Sequence, residues 1–370
     1  MKFKTTVQEV KKALGILEPI INHAHSSIIY RYLLIRPYKD KIEFKVFDDY
    51  AISSSFVSCY ESEGEDVTAF ILAKHFIGLI NSFGKNELVI TLDEDKCTIQ
   101  CGKSKYKLQL LDEKLIEENF ESLDVDYYDA EAILSTPKVE SAVIDTNKFG
   151  LAYNSISHCL SKDNSQMTLQ NVCCAKGEMI ACDGSVGAMV EFDLGDISNL
   201  LLHKKACNCI LNVPNQKLQI MKIDNRIYGM SENFIFLTTC DDDYPYDGIK
   251  RRIDGFSDKH PIQIKINPDE ITDKLGRVLM FADPETHSVA ISCDEGNFIL
   301  SVENNASAKE VINLFENINK NDFNIYADGR SLKEALNKSM SDARWITGAE
   351  NDVQYIYDGS LLQFFFGLDS

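Results

Sequence analysis

Three consecutive aspartates, Asp241, Asp242 and Asp243, form the group whose residue types could most directly perform chemistry. Carboxylates of this kind hold Mg²⁺ together with substrate phosphates. Side chains alternate between the two sides of an extended chain, so three in a row rarely converge on one ion. The sequence has no Gly-rich phosphate loop and no nucleophile elbow. We therefore expect no catalytic residue, no metal and no cofactor. An enzyme stays an alternative that a screen for metal-dependent hydrolysis would detect.

The eleven cysteines are the second group that could carry chemistry. Their spacing is irregular and includes no CxxC pair, and most lie in apolar runs such as NVCCAKG and ACNCILNV. Metal sites and redox pairs require regular spacing, whereas a free cysteine in an apolar run packs as a small hydrophobic residue. The pattern predicts reduced, buried cysteines, and the odd total argues against a disulfide framework.

The net charge of −19 opposes nucleic-acid binding, because phosphate contacts need Lys and Arg. The basic residues are nevertheless concentrated in six segments with a helical apolar period. These segments are 7–21, 73–85, 146–162, 203–211, 267–282 and 328–340. Together they hold 13 basic and 7 acidic residues, against 25 and 50 in the rest of the chain. The distribution predicts a basic surface lined by helices within an acidic exterior. The alternative is that Lys is simply a good helix former on solvated faces.

Length and hydropathy bound the architecture. A chain of 370 residues corresponds to two or three domains. No apolar run approaches the roughly 20 residues that span a bilayer. The charged N-terminus, MKFKTTVQEVKKALG, lacks the apolar centre of a signal peptide. We therefore expect a cytoplasmic protein that does not contact membranes.

An internal repeat at intervals of about 110–130 residues predicts three copies of one domain. Asp49, Asp183 and Asp294 hold corresponding places in VFDDYAISSSF, IACDGSVGAMVEF and ISCDEGNFILSV. The predicted domains are 1–125, 140–255 and 260–370, each built of two half-units with one helix apiece. At Asp49 and Asp294 the pattern favours a simple turn between strands. At Asp183 a functional role is expected from the family resemblance that is described next.

Several segments, by their order and spacing, resemble a known family. They are MKF, IIYRYLLI, TAFILAKHFIGLINSF, GKSKYKLQLLDEK, ACDGSVGAM, DDDYPYDGIKRRI and RSLKEALNKSM. ACDGSVGAM is similar to a Thr-Asp-Gly-His-Arg-Leu-Ala segment, and DDDYPYDGIKRRI is similar to a Gly-Arg-Phe-Pro-Asp-Tyr-Arg-Arg-Val loop. Over nearly its whole length the chain resembles the bacterial-type DNA polymerase III sliding clamp, the beta subunit. The differences between this sequence and the family's segments suggest a divergent member of the family, either phage-borne or a paralogue.

The resemblance implies an α+β clamp fold of three similar domains, each of two βαβββ halves with the sheets outside and the helices on one face. Two chains would close head to tail into a ring of six domains. The implied function is that of a DNA sliding clamp, a non-catalytic processivity factor that encircles duplex DNA without reading its sequence. Its implied partners are DNA polymerase and the clamp loader, bound through a short linear motif. The alternative is a clamp-like protein-binding scaffold that no longer retains DNA.

Under this resemblance ten basic residues of the six segments, together with His23 in the loop after the first helix, would line the pore and contact DNA. They are His23, Lys74, Lys148, Lys162, Lys204, Lys205, Lys274, Arg277, Arg330, Lys333 and Lys338. His23 falls where the family often has an arginine. Because histidine is mostly neutral at pH 7, contact with DNA at this position is expected to be weaker.

The resemblance also implies a hydrophobic pocket that receives the linear motif. Its residues would be Leu169, Cys182, Gly184, Ser185, Val186, Gly187, Pro245, Leu362, Phe364, Phe365 and Phe366. Ser185, Val186 and Gly187 replace the family's His-Arg-Leu, so an altered motif specificity is expected. The alternative is that Phe364 and Phe366 belong to the core and only Phe365 is partly exposed, as alternation along a strand predicts.

A joint between two copies of the chain is the last site that the resemblance implies. Tyr106 and Leu108 of one copy would meet Met280 and Phe281 of the other. An apolar edge strand is a liability unless it is paired, and head-to-tail contacts of this kind close into rings. The sequence therefore predicts a homodimer.

Overall fold

The structure is a computed structural model. It describes residues 1–38, 40–64, 67–84, 86–93, 95–112, 114–115, 140–163, 165–195, 197, 199–213, 216–223, 225–239, 244–256, 262–294, 296–303, 307–313, 323–347 and 353–366. The candidate metal ligands Asp241 to Asp243 lie outside these residues. Among the residues that are described, no group of three or more His, Cys, Asp or Glu could hold a metal ion.

Seven α-helices occur in the described part of the chain. They are α1 Val7–Leu17, α2 Ala73–Ser82, α3 Thr146–Ile156, α4 Lys204–Leu211, α5 Tyr246–Asp254, α6 Pro268–Val278 and α7 Gly329–Leu336. Each of the six segments with a helical period contains one of these helices. None of the helices is long and apolar enough to cross a membrane.

The strands outnumber the helices. In the first half of the chain they are β1 Lys2–Thr6, β2 Tyr32–Tyr38, β3 Lys41–Phe47, β4 Ala51–Ser58, β5 Glu61–Glu63, β6 Ala69–Leu72, β7 Glu87–Leu92, β8 Lys96–Cys101, β9 Ser104–Gln109, β10 Glu140–Asp145, β11 Asn171–Ala175, β12 Glu178–Cys182 and β13 Val186–Glu191. In the second half they are β14 Asn199–His203, β15 Lys217–Ile223, β16 Arg226–Ser231, β17 Phe234–Thr239, β18 Ile262–Lys265, β19 Ser288–Asp294, β20 Asn297–Glu303, β21 Ser307–Asn313, β22 Phe323–Asp328, β23 Arg344–Thr347, β24 Val353–Tyr357 and β25 Leu361–Phe366.

Side chains at the start of several helices explain why those helices begin where they do. The Thr6 hydroxyl accepts a hydrogen bond from the backbone N–H of Glu9, at the start of α1. Asn267 accepts one from the N–H of Asp269 at α6, and Asp328 accepts one from the N–H of Arg330 at α7. Such caps satisfy N–H groups that have no partner within the helix. The helix starts are therefore fixed by local sequence.

The order strand, helix, three strands occurs six times along the chain, which confirms the predicted α+β class and its βαβββ halves. The strand that precedes the helix in each half pairs with a strand of the neighbouring half. The strand β1 precedes α1 but pairs with β7, and β6 precedes α2 but pairs with β2. The same exchange joins β18 to β23 and β22 to β19. Neighbouring halves therefore interlock through their sheets.

Residue contacts divide the chain into two compact units. Unit 1 comprises Met1–Gly150 and Leu194–Cys240, and unit 2 comprises Leu151–Asp193 and Asp241–Ser370. Within unit 1, β17 pairs with β4, and within unit 2, β13 pairs with β25. Both pairings join strands from neighbouring predicted domains, so the three-domain division remains a prediction.

In unit 1 one sheet has the order β10-β15-β16-β17-β4-β3-β2-β6 and another has the order β5-β1-β7-β8-β9. The helix α1 contacts both α2 and α4, and the Asn212 side chain donates a hydrogen bond to the carbonyl of Gly15 at 2.9 Å. Buried residues of α1 such as Val10 and Leu14 face the sheets. The helices of this unit therefore lie together on one side.

A buried ionic cluster lies in the larger sheet of unit 1. Glu43 is 1% exposed and accepts hydrogen bonds from Arg36 Nε and Ser54 Oγ. The Lys45 ammonium is fully buried and lies 3.7 Å from the Glu43 carboxylate. Removing one member would leave the opposite charge buried without compensation, which typically costs several kcal/mol.

In unit 2 the strands β11-β12-β13-β25-β24-β23-β18 are successive neighbours, and a separate sheet has the order β21-β20-β19-β22. The helices α6 and α7 pack against each other. Trp345 is fully buried and contacts Phe298, Phe323 and Phe365. These aromatic rings form the centre of the core in this unit.

The helix α5 corrects the sequence analysis, which placed DDDYPYDGIKRRI in a loop. Its residues Tyr246–Asp254 form nine residues of helix. Ile249 and Ile253 lie one turn apart and are both buried. Asp247 in the first turn and the basic residues of the last turn complement the helix dipole. The apolar face of this helix consists of only two residues, so its helical period could not be recognised among the surrounding charged residues.

The ten cysteines within the described residues are free, and nine of them are buried. Cys159 lies near Cys182 in unit 2, and burial raises the pKa of the Cys182 thiol to about 11. Such a thiol stays protonated and packs as a small apolar group.

Candidate partner pocket, helix face and subunit edge

A cavity of about 550 Å³ opens on unit 2. It is lined by Leu169, Cys182, Gly184, Pro245, Gly248, Ile249, Arg251, Arg252 and Phe364. Four elements supply these residues: the 3₁₀ turn Met167–Gln170, the hairpin between β12 and β13, the helix α5 and the strand β25. The lining is mostly apolar with a few polar groups, which is the usual composition of a ligand pocket.

The turn between β12 and β13 is fixed by Asp183. One oxygen of its carboxylate accepts hydrogen bonds from the N–H of Ser185 at 2.8 Å, the hydroxyl of Ser185 at 2.9 Å and the N–H of Val186 at 2.8 Å. Gly184 has a φ of +101°, which a residue with a Cβ rarely adopts. Asp183 therefore shapes the wall of the cavity through the turn and does not itself line the cavity.

The same turn occurs at Asp358, whose carboxylate accepts from the N–H and hydroxyl of Ser360 and from the N–H of Leu361. In unit 1 the corresponding backbone bond, from the first to the fourth residue of the turn, runs from Asp48 to Ala51. Asp48, and not Asp49, therefore corresponds to Asp183. Asp49 instead accepts a hydrogen bond from the Tyr30 hydroxyl at 2.6 Å.

The floor of the cavity depends on Gly187. Gly187 pairs directly with Phe364 across β13 and β25. A Cβ built on Gly187 would overlap the ring of Phe364. The glycine therefore leaves the space in which the phenyl ring lies flat against the sheet and faces the cavity.

The structure brings together about half of the predicted pocket residues. Leu169, Cys182, Gly184, Pro245 and Phe364 line the cavity. Ser185 is exposed on the turn, whereas Val186, Gly187 and Leu362 are buried beside the cavity. The side chain of Phe366 lies outside the described residues. Whether this set receives a partner remains a prediction.

The alternative in which only Phe365 is partly exposed is wrong, since this residue is only 4% exposed. The strand β25 lies between β13 and β24 within its sheet. Phe364 faces the cavity on one side, and Phe365 packs edge-on against Trp345 on the other, with ring centres 5.2 Å apart. Both faces of the strand are therefore covered, which alternation alone does not anticipate.

Four lining residues were missed by the sequence analysis, namely Gly248, Ile249, Arg251 and Arg252, all on α5. The signal that could have found them is their helical spacing from Pro245, because positions three, four and seven residues apart share a face. In the family segment quoted above, two residues separate Pro from the Arg pair, and here five do so. This insertion places both arginines in the last turn of α5.

Four of the eleven predicted DNA-binding residues are held in ion pairs. Lys162 pairs with Glu334 at 3.1 Å, and Lys205 pairs with the buried carboxylate of Asp48. Two others are engaged on α6. Lys274 pairs with Glu270 at 2.9 Å, and Arg277 pairs with Asp273 at 2.6 Å and with Glu310 at 2.8 Å. A carboxylate this close offsets much of the attraction to a phosphate.

Six others have no ion pair within the part of the chain that the structure describes. They are His23, Lys74, Lys148, Arg330, Lys333 and Lys338. All of these except the half-buried Lys333 are exposed. Lys74 lies opposite the buried residues of α2, and Arg330 lies opposite those of α7. The eleventh residue, Lys204, is half-buried, and burial together with Lys205 lowers its pKa.

His203, directly before α4, gives unit 1 a pH dependence. Its ring stacks on Tyr50 with centres 4.3 Å apart, and burial lowers its pKa from 6.5 to about 3. His203 therefore becomes protonated near pH 6.5 in the unfolded chain, whereas in the folded chain it stays neutral at that pH. Stability is expected to fall by about 1.4 kcal/mol per pH unit below 6.5.

Urea unfolding of the wild type and of His203→Asn at pH 7 and pH 5 checks this expectation. Asparagine keeps an acceptor for the N–H of Lys205 but does not titrate. The stability difference between the two proteins should change by about 2 kcal/mol between these pH values. An identical pH dependence in both proteins would contradict the assignment.

The strand β9 is the last strand of its sheet in the described part of the chain. Tyr106 on this strand is 41% exposed and Leu108 is half-buried. After α6, Met280 is 73% exposed and Phe281 is 44% exposed. All four residues predicted for the subunit joint thus present apolar surface to solvent.

The chain has the fold of solved DNA sliding clamps. It matches the DNA polymerase III beta subunit of Pseudomonas aeruginosa with a TM-score of 0.81 at 13% identity, over 100% of both chains. It matches that of Thermotoga maritima with a TM-score of 0.84 at 14% identity, over 100% of this chain and 99% of the other. The DNA polymerase sliding clamp of Caulobacter crescentus gives 0.81 at 15% identity, over 100% of both chains.

No family model and no curated protein matches the sequence. At identities of 13–15% the shared property is the fold, and it extends over the entire chain. Within the sliding clamps, the bacterial polymerase III beta subunit is the architecture that this chain shares. The resemblance to a divergent clamp that was inferred from the sequence is confirmed at the level of fold.

Proposed function

We propose that this chain is a DNA sliding clamp, a non-catalytic processivity factor that encircles duplex DNA in the cytoplasm and tethers a polymerase. The observation that carries the proposal is the clamp fold over the full length of the chain, combined with exposed basic side chains on its helices. A clamp needs phosphate attraction without base readout, and lysines and arginines on helix surfaces supply this.

DNA contact is assigned to the residues that are free of ion pairs, chiefly Lys74, Lys148, Arg330 and Lys338. The paired residues Lys162, Lys205, Lys274 and Arg277 would contact phosphate only by exchanging a carboxylate for it. The presence of these four ion pairs also favours the alternative function, that of a clamp-like scaffold that binds proteins but no longer retains DNA. The two functions differ in whether the chain stays on closed circular DNA.

The cavity of unit 2 is proposed as the partner pocket, where polymerase and clamp loader insert a short linear motif. Its mostly apolar lining, its volume of about 550 Å³ and its position beside the Asp183 turn support this assignment. The exposed apolar residues of β9 and those that follow α6 are proposed to join two copies into a ring. The domains 1–125, 140–255 and 260–370 would then repeat six times around the DNA.

Retention on DNA tests the proposed function. The protein is mixed at low salt with linear plasmid, whose free ends a closed ring can enter, and the plasmid is then ligated into a circle and passed through a sizing column at higher salt. We expect it to elute with the circle and to be lost once the plasmid is linearised. Loss from both forms, by a protein that is dimeric, would contradict the clamp and support the scaffold.

Duplex affinity tests the assigned residues. Changing Lys74, Lys148, Arg330 and Lys338 to Gln together should reduce the slope of log K against log salt by about one for each phosphate contact removed.

A matched control removes the same number of charges from strands, by changing Lys2, Lys96, Lys217 and Arg226 to Gln. An equal loss of affinity in this control would show that overall charge, and not the helix face, governs binding.

A further inference from the structure

Lys333 lies where the helices α6 and α7 pack against each other in unit 2. It is half-buried on α7, and its side chain reaches across to α6. A Cβ built on Gly276 of α6 would lie 3.0 Å from the Lys333 ammonium nitrogen and 3.9 Å from its Cε. The ammonium group therefore lies on the surface of α6, in the space that the glycine leaves open.

The corresponding place in unit 1 shows that packing of two such helices does not require this charge. Gly15 holds the ninth place in α1, as Gly276 does in α6. Ile77 holds the fifth place in α2, as Lys333 does in α7, and Ile77 is 5% exposed. Unit 1 thus uses an apolar side chain where unit 2 uses a lysine. A partly buried ammonium loses hydration, and a bound anion can replace that loss.

The carboxylates in the middle of α6 do not compensate Lys333. Glu270 pairs with Lys274 at 2.9 Å, and Asp273 pairs with Arg277 at 2.6 Å, each about one turn along the same helix. Among the described residues, no carboxylate lies within 4.0 Å of the Lys333 ammonium. The positive charge of Lys333 is therefore available to an anion from outside the chain.

A second available cation lies beside Lys333. Arg330 is one turn earlier on the same side of α7, is exposed, and has no ion pair in the described part of the chain. Two cations one turn apart can contact the same phosphate group, because phosphate oxygens accept charge-assisted hydrogen bonds from both kinds of side chain.

We propose that Lys333 and Arg330 hold a phosphate group of the bound duplex at the crossing of α6 and α7. Gly276 is then a positioning residue, which acts by leaving the place that the Lys333 ammonium occupies. The inference rests on the proposed DNA-binding function and adds to it a defined phosphate site and the residue that shapes this site.

The placement of Lys333 gives it an advantage over a lysine that moves freely. A lysine side chain that becomes ordered on binding loses rotamer freedom, and this loss opposes binding. The end of the Lys333 side chain already lies against α6, whereas Lys338 is exposed beyond the end of α7. Each lysine carries one charge and displaces a similar number of counterions from DNA. The two lysines should therefore differ in affinity and not in salt dependence.

Binding of a short labelled duplex, followed by fluorescence anisotropy over a range of salt concentrations, tests the site. Lys333→Gln and Lys338→Gln should each reduce the slope of log K against log salt by about one. At any one salt concentration, Lys333→Gln should lose about fivefold more affinity than Lys338→Gln. Equal losses in the two variants would overturn the phosphate site at the crossing.

Gly276→Leu tests the positioning role, because the leucine side chain would fill the space in which the ammonium lies. We expect about fivefold weaker binding with an unchanged salt slope, since the charge stays on the protein. Gly276→Ala requires only a slight shift of the lysine and should keep most of the affinity. In the Lys333→Gln background, Gly276→Leu should have no further effect.

Gly15→Leu is the matched control, since a Cβ at this corresponding place of α1 would meet nothing within 4 Å. It should bind the duplex as the wild type does. An equal loss in Gly15→Leu, or a loss caused by Gly276→Leu that persists in the Lys333→Gln background, would overturn the positioning role. Urea unfolding shows which variants are folded, and the comparison of the two lysines decides the site even where Gly276→Leu does not fold.

Two further outcomes separate this inference from the function on which it rests. A wild type that binds no duplex at low salt would overturn both, whereas duplex binding with equal losses at the two lysines would overturn the site alone. Inorganic phosphate, added at constant ionic strength, distinguishes free phosphate from the duplex as the ligand. Loss of the difference between the two lysine variants on this addition would show that the crossing takes free phosphate, and would overturn its assignment to DNA.

Discussion

Gly187→Ala is expected to close the cavity of unit 2 and to abolish peptide binding there. The added Cβ would overlap the ring of Phe364, which lies directly opposite on β25. Relief requires the ring to turn away from the sheet, and the available space is the cavity itself. Overpacking of this kind typically costs about 1–3 kcal/mol of folding free energy. Fluorescence anisotropy with a labelled peptide that carries a partner's linear motif measures binding, and urea unfolding measures stability separately.

Unit 1 provides a matched control in Gly229, which lies directly opposite Phe236 across β16 and β17. A Cβ on Gly229 would overlap that ring in the same way. Gly229→Ala should therefore destabilise the protein by a similar amount without changing peptide affinity. Gly78→Ala, in α2 where a Cβ meets nothing within 4 Å, should stabilise by about 0.5–1 kcal/mol. Full peptide affinity in a folded Gly187→Ala protein would show that Phe364 does not form the floor.

Leu108→Asp is expected to convert a dimer into a monomer. The change places a charge on the exposed apolar edge strand β9, and in the proposed ring this side chain is covered by Met280 and Phe281 of the second copy. Burying an unpaired carboxylate there should raise the dimer dissociation constant about 100-fold or more. Light scattering over a range of concentrations should give 41.8 kDa for the variant and about twice this mass for the wild type.

The edge strand β10 provides the control for this experiment. Val143 on β10 is 63% exposed, and β10 ends its sheet as β9 does. Because no joint is assigned to β10, Val143→Asp should remain dimeric. A dimeric Leu108→Asp protein, or a wild type that is monomeric at every concentration, would contradict the assigned joint.

The elements of the fold could be predicted because their signals are local. Val10, Leu14 and Leu17 follow a helical period, and all three are buried in α1. The turn at Asp183 was recognised for the same reason, since its carboxylate bonds to groups only two and three residues away, whereas its counterpart in unit 1 was placed at Asp49 instead of Asp48. The helix α5 was missed because its apolar face consists of only Ile249 and Ile253.

The pocket could be predicted only in part. Its predicted residues, among them Leu169, Gly184, Pro245 and Phe364, were all included through the resemblance. The side chains of α5 joined them because the helix packs beside β25, a contact between segments more than 100 residues apart. The alternative of a partly exposed Phe365 was considered because a single strand does not reveal that both faces of its sheet are covered.

The sequence by itself determined the class of fold, the positions of six helices and the concentration of basic residues within them, since each depends on periodicity, capping and composition over short segments. The tertiary structure alone decided which charges remain available. Lys205 and Lys162 are neighbours of acidic groups that lie 157 and 172 residues away in the chain. Coulomb attraction depends on distance in space, so a count of charges along the helices cannot separate these residues from Lys74 or Arg330. The same distance dependence leaves Arg251 without a carboxylate within 4.0 Å among the described residues, while Lys250, one residue earlier, pairs with Glu178 at 2.8 Å.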